Sequence, residues 1–130
     1  MMCHILVIDD EKHILEMIEM ALTKFGHDVE TAGNGQEGIR KFDEKRFDLV
    51  ITDIKMPLLD GTGVLQHIRN SKRRETPVIG ISGTPWMLEG TDFDAVLAKP
   101  FLIKTLADYI RNLATIPYSG SASELNAALS

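Results

Sequence analysis

The 130-residue sequence predicts an α/β fold, a doubly wound parallel sheet of five strands with helices on both faces. Two observations carry this. Five short segments, most of them apolar and rich in β-branched residues, recur along the chain: HILVI (4–8), DVETA (28–32), DLVIT (48–52), PVIGIS (77–82) and AVLA (95–98). Between them run stretches with apolar residues at helical spacing, and such alternation implies right-handed crossovers between parallel strands.

Taken in order, strand 1 is a continuous apolar run, as expected of a strand covered on both sides. In the first helix, 12–25, Ile14, Ile18, Ala21, Leu22 and Phe25 share one face and Gly26 supplies a stop. DVETA is more mixed and reads as an edge strand. Ile39 with Phe42 mark a second helix, and Val64, Leu65 and Ile68 a third, on either side of the apolar third strand. Strand 4 is again continuously apolar. A last helix, 102–114, stacks Ile103, Leu106, Ala107, Ile110 and Leu113. By analogy with folds of this size the strand order is 2-1-3-4-5, which puts a ligand crevice at the carboxyl ends of strands 1 and 3. After Ala114 the pattern stops. We read 1–114 as one domain and TIPYSGSASELNAALS (115–130) as a flexible tail without an output domain, SELNAAL being the one stretch able to form a short helix.

Composition excludes several classes. A second folded domain does not fit, and apolar runs of about four residues fall far short of the roughly 20 needed to cross a bilayer. With no signal peptide pattern, the expectation is a cytoplasmic protein without a membrane partner. Cys3, in CHILVI, reads as a small buried hydrophobe rather than a redox group. Lys and Arg total 14 against 19 Asp and Glu, and the net charge of −5 argues against direct nucleic-acid binding. The one basic cluster, RNSKRR (69–74), reads either as the last turn of a helix, where cations suit the dipole, or as a phosphate-binding patch. His4, His13, His27 and His67 show no ligand spacing.

Chemistry collects at the strand ends. Strand 1 ends in Asp9-Asp10 and strand 3 in Asp53, so the topology brings three carboxylates to one crevice. Close carboxylates repel, and a divalent cation of the Mg²⁺ type, held by hard oxygen ligands, resolves the repulsion. Helix capping is the other reading of Asp9 and Asp10, with Glu11 in the first turn, but it leaves Asp53 unexplained. Strand 4 ends in Ser82-Gly83 and strand 5 in Lys99-Pro100, which adds a hydroxyl and an ammonium. Together these groups suit a phosphoryl group, and a carboxylate beside a cation can act as the nucleophile that becomes an acyl phosphate. Asp53, between the others, is the expected nucleophile.

The acidic pair after strand 1, the DIKMPLLDG run (53–61), the hydroxyl after strand 4 and KPF (99–101) occur in this order over about residues 3–114. In them the chain resembles a response-regulator receiver domain of two-component phosphorelay signalling, a flavodoxin-like fold. The resemblance implies that Asp53 takes a phosphoryl group from a sensor histidine kinase or phosphotransfer protein. It implies Mg²⁺, with Mn²⁺ as a substitute, on Asp10, Asp53 and the Lys55 backbone carbonyl, with Asp9 helping directly or through water. Lys99 would pair with the phosphoryl oxygens, Ser82 would move to meet them, and the Lys99-Pro100 bond would be cis. Met56, Pro57 and Gly61 would be structural, and Lys55 and Thr84 would tune phosphoryl lifetime. The activity implied is that of a phosphoacceptor signalling domain rather than an enzyme, acting on a downstream protein by contact.

Two departures from the family pattern stand out. Val96 occupies the position where receivers usually carry the aromatic residue that couples to the hydroxyl. The segment 83–95 is too short for the usual fourth helix and is expected to be a single turn or loop, with Trp86 and Met87 folded over the sheet in its place. Either Trp86 is core cover or it takes part in the switch, and the short segment removes the fourth helix from the face through which many receivers dimerise. Three competitors are weighed. A flavin carrier would want Ser, Thr and Gly where this chain has DDEKH; an aspartyl phosphatase would want an acid where it has Lys55; a pseudo-receiver interaction module would commonly lack an acid or the lysine, and none is missing.

Overall fold

The computed structural model of the chain describes residues 2–114. β1 (His4–Ile8), β3 (Leu49–Asp53) and β4 (Val78–Ser82) are buried along almost their whole length, as continuous apolar runs require, and β2 (Asp28–Ala32) and β5 (Ala95–Ala98) flank them. The order is β2-β1-β3-β4-β5 with every pairing parallel, as the sequence predicts. β3 lies one residue further on than expected: Asp53 is its last residue, while the Asp48 carboxylate accepts the His4 N–H at 2.8 Å.

Alternation along each strand divides the core in two. Ile5, Val7, Leu49, Ile51, Ile79 and Ile81 face Ile18 and Leu22 of α1 (Lys12–Lys24) and Leu106 and Ile110 of α4 (Ile103–Leu113). On the other face Leu6, Ile8, Val50 and Val78 meet Phe42 of α2 (Gly35–Glu44) and Val64, Leu65 and Ile68 of α3 (Gly61–Arg69). Each fully buried side chain of this size stabilises the fold by about 1.5–3 kcal/mol. Phe25, expected on the packing face of α1, is instead its C-cap and half exposed, because Gly26 at φ +91 already turns the chain away.

Between β4 and β5 the structure has one 3-10 turn, Pro85–Leu88, in line with the short segment. The expected cover is wrong in detail: Trp86 and Met87 are 68% and 71% exposed, while Leu88 is buried and the Phe93 ring lies over Gly80. The turn is too short to bring three consecutive side chains onto the sheet. Core cover is thereby excluded for Trp86.

The basic cluster divides. Only Arg69 lies in the last turn of α3, where its guanidinium ties the β4–β5 segment down through Asp92 and Asp94 and donates to the carbonyls of Arg74 and Thr76. Arg73, beyond the helix, rests over the Phe42 ring and donates to the Phe42 and Lys45 carbonyls at the end of α2. Among the described residues no helix is long and apolar enough to cross a membrane. The expectations for 115–130 fall outside the described residues.

Candidate functional site

The sheet register assembles the site. Ile8 is opposite Thr52, Asp53 opposite Ile81, and Ser82 opposite Ala98, so Asp9, Asp53, Ser82 and Lys99 follow one another across one end of the sheet. The Lys99 N–H donates to the Ser82 carbonyl at 2.9 Å, which fixes the two loops to each other, and the Lys99-Pro100 bond is cis as expected. Carboxylate oxygens of Asp9, Asp10 and Asp53 lie within 4.8 Å of one another.

Asp53 is 4% exposed and its Oδ1 is held twice, by the Lys99 ammonium at 3.0 Å and the Ile54 N–H at 3.0 Å. Both contacts fall on one oxygen. Among the described residues Oδ2 makes no hydrogen bond, which leaves it as the oxygen with lone pairs to spend on an electrophile. Gly61 makes this geometry possible: its N–H donates to the Ile54 carbonyl at 2.9 Å, and a Cβ there would run into the Asp53 carbonyl.

Asp9 is buried, and its Oδ1 accepts the Glu11 N–H at 2.9 Å while Oδ2 has no partner. Burial pushes the Asp9 carboxyl up to about 6, the Glu11 N–H opposes this, and the Asp53 charge adds to it. The alternative reading of the acids as helix caps fails on this geometry, since α1 starts at Lys12 without a side-chain cap and Asp10 is exposed. An orphaned buried carboxylate oxygen among three converging acids fits a hard divalent cation. Burial alone would lower the Lys99 ammonium, but the hydrogen bond and charge of Asp53, with Asp9 behind it, hold it above its ordinary value. It is a permanent cation at neutral pH.

Ser82 is buried, and its Oγ accepts the Thr84 N–H at 2.9 Å, with the Thr84 Oγ1 3.4 Å away. Thr84 in turn opens the 3-10 turn. Lys55 is exposed two residues past Asp53, and Val96 is half-buried on β5. Asp9, Asp10, Asp53, Ser82 and Lys99 are all at this end of the sheet, with Lys55 and Thr84 in the loops that follow β3 and β4, whereas Val96 pairs with Gly80 further back along the strands. What sequence reasoning missed are the main-chain donors of Ile54 and Glu11, which carry no side-chain signature.

The raised Asp9 carboxyl has a measurable consequence. Between about pH 4 and pH 6 the folded state keeps a proton that the unfolded chain has lost, so metal-free stability falls as pH rises through this window, by about 2–3 kcal/mol. Asp9→Asn should flatten this slope and make the metal-free protein more stable at pH 7, read by urea unfolding in chelator at several pH values. Parallel slopes in the two proteins would refute the assignment.

Comparison with known proteins places this geometry. The sequence model described as the response regulator receiver domain matches residues 5–111. A probable transcriptional regulator, ycf27, of Cyanidium caldarium is 36% identical over 115 residues, covering 85% of this chain and 45% of that protein. The chain spans about half the length of the curated relatives it matches. Among solved structures, the response regulator TrrA of Thermotoga maritima, in complex with Mg²⁺-BeF, superposes with a TM-score of 0.77 at 32% identity, covering 85% of this chain and 97% of that one. The chemotaxis response regulator CheY4 of Vibrio cholerae gives 0.79 at 28% identity, covering 87% and 99%.

Proposed function

The chain belongs to the response regulator receiver domain family, and on that premise we propose that Asp53 accepts a phosphoryl group from a phosphohistidine of a sensor histidine kinase or phosphotransfer protein. The observation that carries this is the Lys99–Asp53 pair, which occupies one oxygen of Asp53 and leaves the other without a hydrogen bond.

Asp53 Oδ2 attacks phosphorus as the phosphorus–nitrogen bond of the donor breaks. The electron pair returns to the imidazole nitrogen, which takes a proton from solvent, and Asp53 becomes an acyl phosphate. Lys99, already poised on Oδ1, meets the negative charge on the phosphoryl oxygens without rearrangement. Asp9, Asp10, Asp53 and the Lys55 carbonyl would hold Mg²⁺, or Mn²⁺ in its place. When bound, the cation neutralises the acids and the charge of the incoming phosphoryl group. The phosphoryl group brings about 1.5 to 2 negative charges and strong acceptor oxygens. Its oxygens accept the Ser82 O–H, and if the Ser82 oxygen moves toward them it draws away from the Thr84 N–H that it accepts at 2.9 Å, so that the turn bearing Trp86 and Met87 shifts with it or is released. With Val96 in place of an aromatic residue, that turn carries the signal to a downstream protein. Lys55 and Thr84, each two residues past Asp53 and Ser82, set the lifetime of the acyl phosphate. The setting we infer is the cytoplasm.

The test is incubation with acetyl phosphate and Mg²⁺ followed by intact-mass analysis. The expected result is gain of one phosphoryl group, lost when a chelator removes the metal and restored by Mn²⁺. No gain with either metal would overturn the proposal in favour of a receiver fold used only for binding.

A further inference from the structure

We propose a second, unrelated ligand site: the recess at the amino ends of β3 and β4, opposite to the Asp53 cleft, binds a compact anion carrying two or more phosphate groups. The recess has a volume of about 610 Å³ and runs between Arg46–Asp48 and the turn after α3. Four cations line it, Arg46, Lys72, Arg73 and Arg74, against two acids, Asp48 and Glu75. In a chain of net charge −5 this excess runs against the overall balance.

The state of each group sharpens the point. Asp48 is engaged by the His4 N–H at 2.8 Å. Arg73 is held in place by the Phe42 and Lys45 carbonyls and the Phe42 ring, so the floor of the recess carries a preorganised positive charge. Arg46, Lys72 and Arg74 are exposed, and among the described residues their side chains make no hydrogen bond or ion pair. Lys41, Lys45, Arg69 and Lys99 are paired with carboxylates, and of the cations that make no hydrogen bond or ion pair among the described residues, three are gathered at this recess. Cations left unpaired around a fixed guanidinium suit phosphate oxygens, with Arg offering forked donors and Lys a point charge.

The chemistry of the walls narrows the ligand class. Phe47, the one aromatic residue of the lining, is 4% exposed and packed against the His4 ring at 4.5 Å, so it offers no face on which a base could stack. Recognition therefore rests on the phosphate chain. A single phosphate has too few oxygens to satisfy the donors of four cations, whereas a chain of phosphates offers several charged groups to the same recess.

The experiment is titration of the full chain with inorganic tripolyphosphate, free of divalent metal, followed by amide chemical shifts. Saturable shifts are expected at residues 46–48 and 71–77 only. The combined variant Arg46→Gln, Lys72→Gln, Arg74→Gln should bind at least tenfold more weakly, with its circular dichroism and its phosphoryl uptake at Asp53 unchanged. Inorganic phosphate should bind at least tenfold more weakly than tripolyphosphate, and a nucleoside triphosphate no more tightly. Shifts centred on Lys99, equal affinity in the combined variant, or phosphate binding as tightly as tripolyphosphate would overturn the proposal. So would the absence of saturation.

Discussion

Asp53→Asn is expected to take up no phosphoryl group from acetyl phosphate at any Mg²⁺ concentration. The substitution keeps the shape of the side chain, so the Ile54 N–H still finds an oxygen, but an amide oxygen is a far weaker nucleophile than a carboxylate and its nitrogen lone pair is delocalised. The loss is therefore complete rather than graded. Removing the charge also acts on the neighbours. The Asp53 contribution that raises the Asp9 carboxyl disappears while the Lys99 cation remains, so the pH window of Asp9 should move down. Lys99 loses the partner that holds it above its ordinary value. Intact mass and a pH series on the same variant check both. If Asp53→Asn is phosphorylated as fast as the wild type, the acceptor is another group, with Asp9 and Asp10 the nearest carboxylates.

Arg69→Met is expected to destabilise the fold by about 2–4 kcal/mol, the largest effect of any charged residue outside the cleft. Arg69 is only 18% exposed in its side chain and makes five hydrogen bonds: to Asp92 Oδ2 at 2.9 Å, Asp94 Oδ2 at 2.6 Å and the carbonyls of Asp92, Arg74 and Thr76 at 3.0, 2.7 and 2.8 Å. Methionine keeps the aliphatic stem but leaves these acceptors without their donor. The Asp92 carboxylate, 78% exposed, can turn to water and contributes little. The weight falls on the carbonyls and on Asp94, whose Oδ2 also accepts the Val78 N–H at 2.7 Å at the start of β4. Asp92→Asn should then cost less than about 1 kcal/mol. Urea unfolding of the two variants decides the matter: equal midpoints would mean that the geometry of the clamp carries no stability.

The sheet was legible because its code is simple. ILVI, LVI and VIGI are apolar without interruption, and only burial on both faces explains such runs; DVETA is mixed, as an edge strand is. The site was legible for a different reason, since topology alone carries Asp9, Asp53, Ser82 and Lys99 to the same ends of adjacent strands. What escaped was set by local geometry. Trp86 and Met87 are hydrophobic, which favours burial, yet which side chain of a 3-10 turn faces the sheet depends on one backbone rotation, and Leu88 takes the place. The capping reading of Asp9 and Asp10 turned on whether α1 began at Glu11 or one residue later, a distinction finer than periodicity resolves. The tethering of the β4–β5 segment by Arg69 had no signal in the sequence, because Asp92 and Asp94 lie far from it along the chain and nothing in their spacing announces a partner.

The crossover from Ser82 to Ala95 is twelve residues, 83–94, close to the least that can carry a chain back to the start of a parallel neighbour. It has no slack to lose and much room to grow. Doubling a loop costs only about 0.6 kcal/mol in closure entropy, so a segment spliced in at Gly90, ahead of the Arg69 anchor points, should leave the fold standing, whereas deleting 89–91 should prevent β5 from pairing. Soluble yields of the insertion and the deletion would read this asymmetry. The chain is in this sense a minimal scaffold with a permissive port, where a helix, an epitope or a sensor peptide could be grafted into the segment that follows Ser82.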